Sequence, residues 1–364
     1  MHDTLRFYMP TRVCQEPDCV ARYADALAAL GRHALIVTGR RSSRMNGSLD
    51  DVTAALESQG VGYTIFDAVE EDPSVETVMA ARDAGLAGGA AFVIGVGGGS
   101  PMDAAKAAAV MLAAPDKGWT HLYDAPAPAL PVVAVPTTCG TGSEVTSIAV
   151  LTRHDLGTKV SMTPRVFPRL ALVDGRYLLH APQRILVNTA IDTLSHLIET
   201  VINARANAYS DMTAFAGLTA WRACRDVLEG RAALDTTSAG QLMHAATLGG
   251  MSIAQTGTSL PHALSYLLTC QGGIPHGAAV GAFQARFLAL ADPVRREAVL
   301  HAAGFPDTAA LGDWIAAHAP VKADAALLRQ SAEAVLANTV KLRTCPYPVD
   351  AAVMETLIGG VPTV

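Results

Sequence analysis

Read for its apolar and polar positions, the first half of the chain alternates two periods. Short apolar runs, "HALIVTG" (33–39), "GYTIFDAV" (62–69), "AAFVIGV" (90–96) and "PVVAVP" (131–136), have the length and make-up of buried strands. Between them lie segments with apolar residues every three or four positions. In "NGSLDDVTAALESQG", Leu49, Val52 and Leu56 share one helical face, Ser48 is placed to cap it and Asp51 follows three residues on. "SVETVMAARDAGLAGG" reads as a second helix and "GGGSPMDAAKAAAVMLAAP" as a third. This alternation predicts a parallel sheet with helices on both faces.

Towards residue 180 the strand-like runs thin out, and alanine- and leucine-rich helical segments take over, such as "ILVNTAIDTLSHLIETVINA" and "YSDMTAFAGLTAWRACRDVLEG". The boundary is expected in "LVDGRYLLHAPQR". That gives an α/β domain over residues 1–178 and an all-α domain over residues 179–364.

Composition narrows the classes. Half of the 364 residues are hydrophobic and 16% are charged, which suits two packed cores. A net charge of −6 without a basic cluster argues against a nucleic-acid partner. The start, "MHDTLRFYMPTRV", lacks a signal-peptide pattern, and no uncharged apolar stretch is expected to span a membrane, so a soluble cytoplasmic protein is expected. Six cysteines without a CxxC pair are expected to be free thiols.

Two loops carry candidate ligand chemistry. Gly97, Gly98 and Gly99 join a strand to a helix that Ser100 is placed to cap, with Pro101 in the first turn and Asp103 at the capping-box position. Such a helix start suits a diphosphate, and equally a plain tight turn. The spacing is not GxGxxG. After the next strand comes "PTTCGTGSEVT" (136–146), rich in small hydroxyls. Loops after neighbouring strands would face each other at the carboxyl edge of the sheet, where open α/β sheets bind nucleotides.

In the second half, Asp192 and His196 stand four apart on an apolar helix, hence on one face. His262 and His276, each after a proline, add two imidazoles in another stretch poor in charge. Buried carboxylates and imidazoles need a partner. One carboxylate and three imidazoles form a ligand set for a divalent transition metal, with room for a substrate oxygen.

In "GGGSPMDAAK", "PTTCGTGSEVT", "DTLSHLIE" and "GIPHG", in that order, the chain resembles the iron-containing (group III) alcohol dehydrogenase family. The resemblance implies an N-terminal dinucleotide-binding domain and a helical metal-binding domain. It implies Asp192, His196, His262 and His276 as metal ligands, and Gly97, Gly98, Gly99 and Ser100, with Asp103 beside them, as the diphosphate loop. Thr137, Thr138 and Thr141 match the second cofactor loop, and Lys159 in "LGTKVSM" the cofactor-contacting lysine. The implied activity is reversible hydride transfer between NAD(P)(H) and a small alcohol or aldehyde. Ferrous iron (Fe2+) is the implied metal, with zinc (Zn2+) suited by the same donors, and a homodimer or larger homo-oligomer is expected. Where many members carry a further histidine this chain has Tyr266, and where many carry an acid after the first strand it has Gly39.

Zinc-dependent glycerol dehydrogenases and enzymes like dehydroquinate synthase share the architecture, but His196 argues against their donor sets. A metal-free nucleotide-binding protein is the other alternative. For the cofactor, strand 33–39 ends in Gly39 and runs into Arg40, Arg41, Ser42 and Ser43. A carboxylate at that position would repel a 2′-phosphate; here it is absent and guanidinium groups follow, so NADP(H) is expected over NAD(H). Cys139 is expected to border the cofactor cleft.

Overall fold

The computed structural model of the chain describes residues 5–364. It divides into two compact units. One comprises Met9–Ala181 together with Asp235–Met243, and the other residues 5–8 with Pro182–Leu234 and His244–Val364.

The first unit is built on a sheet of β1 (Arg12–Gln15), β2 (His33–Gly39), β3 (Gly62–Val69), β4 (Phe92–Gly97), β5 (Val132–Pro136) and β8 (Leu170–Val173). A separate antiparallel hairpin is formed by β6 (Val150–Arg153) and β7 (Thr158–Ser161). The sheet order is β1-β8-β5-β4-β2-β3, and every neighbouring pair is parallel. The four expected strands are present; β1, β8 and the hairpin strands, four residues each, are too short to show a period.

The strands are apolar throughout because both faces are covered. Ile36, Ile94, Val96 and Val133 enter one core with Leu49, Val52 and Leu56 of α1 (Ser48–Ser58). The alternate residues Leu35, Val37 and Val93 enter the other, against α2 (Val75–Gly88) and α3 (Gly99–Ala113). The expected caps are corrected at two helices. Gly47 (φ 80°), not Ser48, stands at the N-cap of α1, and Gly98, not Ser100, at that of α3. Ser48 instead donates to the Ser43 carbonyl at 3.3 Å.

The division also differs from a single cut after residue 178. The segment expected to hold the boundary begins inside β8, and Asp235–Met243 belongs with the sheet. The reason is close packing: Gln15 donates to the Gly240 carbonyl at 2.9 Å, and a Cβ on Gly175 would lie 2.7 Å from the Gly240 nitrogen.

From β2 the chain pairs β3 on one side and then β4 on the other. The order therefore reverses at the β2/β4 pair, where a crevice opens outside the carboxyl ends of an open sheet. The turn after Gly39 and the glycine loop after β4 leave the sheet there.

The second unit is helical. Its axis is α4 (Gln183–Ile202), buried along nearly its whole length after Leu186. By length and composition α4, which carries Asp192 and Glu199, is apolar enough to cross a membrane, but 83% of its most apolar window is packed inside the protein. Around it lie α5 (Ala208–Ala223), α6 (Thr236–Thr256, whose first turns belong to the sheet unit), α7 (Leu260–Cys270) and α8 (His276–Ala289). The start of α8 docks on α4: Asn188 Oδ1 accepts from the Ala278 N–H at 2.7 Å, and a Cβ on Gly277 would overlap the Asn188 carbonyl.

That contact is testable. Gly277→Ala should push α8 off α4 and cost about 1–3 kcal/mol by overpacking, read as a lower urea midpoint. Gly240→Ala, whose Cβ would meet nothing within 4 Å, is the control and should leave the midpoint level or higher. Equal midpoints for the two variants would refute the close approach.

Candidate functional site

Helix α4 presents Asp192 and His196 one turn apart on the same face. Pro261 sits in the first turn of α7, and His262 follows it; His276 is the first residue of α8. These three helices bring all four expected metal donors together. Asp192 Oδ1 lies 3.3 Å from His262 Nε2, 3.6 Å from His196 Nε2 and 3.6 Å from His276 Nε2. The His196 and His262 rings stack at 4.6 Å between centroids, and His276 meets His262 edge-on at 5.5 Å.

The arrangement fits a cation. Donors bonded at about 2.0–2.2 Å in a tetrahedral set stand about 3.3–3.6 Å apart, the separations seen around Asp192. The donor atoms of Asp192, His196 and His262 all lie within 4.8 Å of one another. Neither Asp192 Oδ1 nor His262 Nε2, both buried, has a hydrogen bond of normal geometry despite their proximity. Buried polar atoms are ordinarily satisfied, and a cation between these donors would satisfy both. Asp192, His196 and His262 are buried, whereas the His276 side chain is 32% exposed, which leaves the set reachable from one side.

Electrostatics agree. Burial would raise Asp192, but the surrounding imidazoles, His196 and His276 foremost, hold it well below the usual carboxylate range. Burial would lower His262, but Glu199 and Asp192 outweigh it and push it up to about 9.

Glu199 is the residue that sequence reasoning missed. It is fully buried on α4, seven residues after Asp192 and three after His196. One carboxylate oxygen lies 2.5 Å from His262 Nδ1 and accepts from Gln284 Nε2 at 2.8 Å; the other accepts from the Ser259 N–H. The signal was present, an acidic residue on the same buried face at helical spacing. Tyr266 stands half-buried one turn along α7 from His262.

In the sheet unit the two ligand loops face each other as expected. Gly97 takes φ 145°, and a Cβ there would lie 2.7 Å from Pro101 Cγ. A Cβ on Gly98 would lie 3.2 Å from Thr138 Oγ1, and one on Gly99 would lie 2.6 Å from Thr141 Cγ2. The Thr137 N–H donates to the Gly97 carbonyl at 2.9 Å. The N–H groups that open α3 have no intrahelical acceptor, the condition for holding an anion.

Asp103 and Ser100 act inside this frame. Asp103 accepts from Ser143 Oγ at 2.6 Å and from the Val150 N–H at 2.8 Å. It stands 3.6 Å from the fully buried Lys106, which donates to Ser143 Oγ and to the Ile148 carbonyl. Burial pushes Asp103 up and Lys106 down, and each opposes the other's shift. Asp103, expected beside the diphosphate, thus braces the glycine loop against the second loop. Ser100 Oγ accepts from the Asp72 N–H at 3.0 Å, and Asp72 pairs with the buried Lys159 at 2.5 Å. Asp72, which sequence reasoning passed over, therefore links Lys159 to the glycine loop.

At the turn after β2, Arg40, Arg41 and Ser42 are exposed, and among the described residues neither Arg40 nor Arg41 has an ion-pair partner. Ser43 differs from expectation: it is fully buried, and its hydroxyl is hydrogen-bonded to that of Thr38 at 2.7 Å. Arg44, also passed over, pairs with Asp67 of β3 at 2.8 Å. Cys139, expected to border the cofactor cleft, is buried, with 1% of its surface exposed.

Residues 10–175 match the iron-containing alcohol dehydrogenase family, and residues 186–332 match the C-terminal part of the Fe-containing alcohol dehydrogenase family. The fold superposes on a solved iron-containing alcohol dehydrogenase with TM-score 0.91 and 33% identity, covering 98% of this chain and 100% of that one. For the iron-containing alcohol dehydrogenase of Thermotoga maritima the values are 0.89 and 34%, over 97% of this chain and 99% of that one. The long-chain primary alcohol dehydrogenase AdhA of Thermoanaerobacter ethanolicus is 32% identical over 260 residues. That match covers 69% of this chain and 64% of AdhA, just under two thirds of the relative's length. The chain belongs to the iron-containing alcohol dehydrogenase family.

Proposed function

We propose that this chain is a metal-dependent oxidoreductase that transfers a hydride reversibly between NAD(P)(H) and a small alcohol or aldehyde. The observation that carries this is the convergence of three imidazole nitrogens on Asp192 Oδ1, buried, in a chain of this family. Asp192, His196, His262 and His276 would hold ferrous iron (Fe2+), with zinc (Zn2+) fitting the same donors. A cation there supplies Lewis acidity towards an alcohol or carbonyl oxygen.

The protein's own groups bind and orient. The N–H groups at the start of α3, approached over Gly97, Gly98 and Gly99, suit the cofactor diphosphate. Thr138 and Thr141 line the facing loop, and the Asp103–Lys106–Ser143 brace holds the two loops at fixed separation. No protein nucleophile is required, since orientation and exclusion of water are what a hydride transfer asks of its protein.

The activity is tested by loading the protein anaerobically with ferrous iron and assaying a panel of alcohols and aldehydes with both cofactors. Turnover should depend on the metal, and His262→Ala should lose bound metal and turnover together while the fold survives. Undiminished metal content in that variant, or turnover in fully chelated protein, would contradict the reading.

The cofactor proposed is NADP(H) over NAD(H). Arg40, Arg41 and Ser42 stand exposed at the carboxyl end of β2, beside the reversal in strand order. Charge-assisted hydrogen bonds contribute about 1.5–3 kcal/mol each, so one such contact to a 2′-phosphate gives a preference of about tenfold or more. Gly39 has room for a side chain, its Cβ position lying 3.5 Å from the nearest atom, the Val69 carbonyl oxygen. Gly39→Asp should therefore fold and shift preference towards NAD(H). An unmodified enzyme that uses NAD(H) as efficiently as NADP(H) at low salt would overturn the assignment.

A further inference from the structure

The buried surroundings of Glu199 determine how its neighbours hold their protons. The Ser259 N–H can only donate. Gln284 must present its NH2, because the opposite amide orientation would set its oxygen against a carboxylate. Both are hydrogen-bonded to Glu199, the amide to the same oxygen, Oε1, that meets His262 Nδ1 at 2.5 Å. A carboxylate surrounded by donors accepts at both oxygens, so Nδ1 of His262 carries a hydrogen. Nε2, the nitrogen that faces Asp192 Oδ1 at 3.3 Å, is then the one that can give a lone pair to a cation once its own proton is displaced.

The same carboxylate fixes the position of the ring. Ser259 is the residue immediately before α7, the helix that carries His262. Glu199 therefore holds the start of that helix with one oxygen and the imidazole with the other. Ser259 Oγ is further tied to Thr344 Oγ1 at 2.9 Å, so the helix start is anchored from two sides.

We propose that Glu199 is the positioning residue of the metal centre, fixing His262 as the Nδ1–H tautomer with Nε2 turned to the cation, and that Gln284 holds Glu199 in place for this. The proposal rests on the reading of Asp192, His196, His262 and His276 as metal donors. A carboxylate behind a ligating histidine orients the ring and raises its basicity, and loss of such a partner weakens metal binding about 10–100-fold.

The test is Co2+ binding, measured by chelator competition for affinity and by ligand-field absorption at saturation for geometry. Glu199→Gln is nearly isosteric but places an NH2 where one of three donors needs an acceptor. It should weaken Co2+ binding about 10–100-fold and alter the absorption bands even when the site is full. A purely structural role would leave the saturated spectrum as it is. Should Glu199→Gln fail to fold, Gln284→Leu decides, with a smaller loss of affinity in the same direction. Tight Co2+ binding by the unaltered protein with unchanged affinity and spectrum in the variant overturns the role of Glu199 alone. Failure of the unaltered protein to bind Co2+ overturns the four-donor reading, and this proposal with it.

Discussion

A carboxylate oxygen shut away from water beside three imidazole nitrogens requires positive charge, and the helical unit is arranged around that requirement. Asp192 cannot reach solvent, and its ionised form persists only because the neighbouring rings hold it down against the effect of burial. Without a metal the charge comes from protons, which is why His262 is pushed up to about 9 between Glu199 and Asp192. A divalent cation would meet the same need with more charge and a defined geometry, and its binding would displace protons from the rings. The small residues on α8 serve this end. Gly277 and Gly281 let that helix lie against α4 closely enough for His276 to reach Asp192.

The sheet unit solves a different problem, how to keep two glycine- and threonine-rich loops rigid enough to hold an anion. Its device is also a buried charge pair. Lys106 and Asp103 lie one turn apart on α3, and both bond Ser143 of the facing loop. A lysine with no exposed surface is stable only when its donors are used, and here Ser143 and the Ile148 carbonyl use them. Asp72 extends the frame by joining Ser100 to Lys159. In both units the residues that touch ligand in our reading are held by partners one step behind them, Glu199 and Lys106 among them fully buried.

This layering explains what the sequence disclosed. The strands of β2 to β5 and the long helices were legible because their apolar periods are long and unbroken. The four metal donors were legible because charge is scarce in their neighbourhoods, so each stood out. Strands β1 and β8 escaped notice because four residues cannot establish a period, and they are fixed only by pairing with each other and with β5. Glu199, Lys106 and Asp72 escaped for another reason: a charged residue in a helix or turn reads as solvent-facing until tertiary packing shows its partners. The same applies in reverse to Ser43, in the short helix Ser42–Met45, and Cys139, on the second loop, both of which are turned inward. Pairing of Arg44 with Asp67 joins segments 23 residues apart and has no local signature.

The claim on which the account turns is that these four side chains share one cation. Crystals of anaerobically iron-loaded protein, with diffraction recorded on both sides of the iron absorption edge, measure it most directly. The account predicts one strong anomalous peak within bonding distance of Asp192 and of the Nε2 atoms of His196, His262 and His276. A peak lying elsewhere, or none beside Asp192 in protein shown to contain iron, would contradict it.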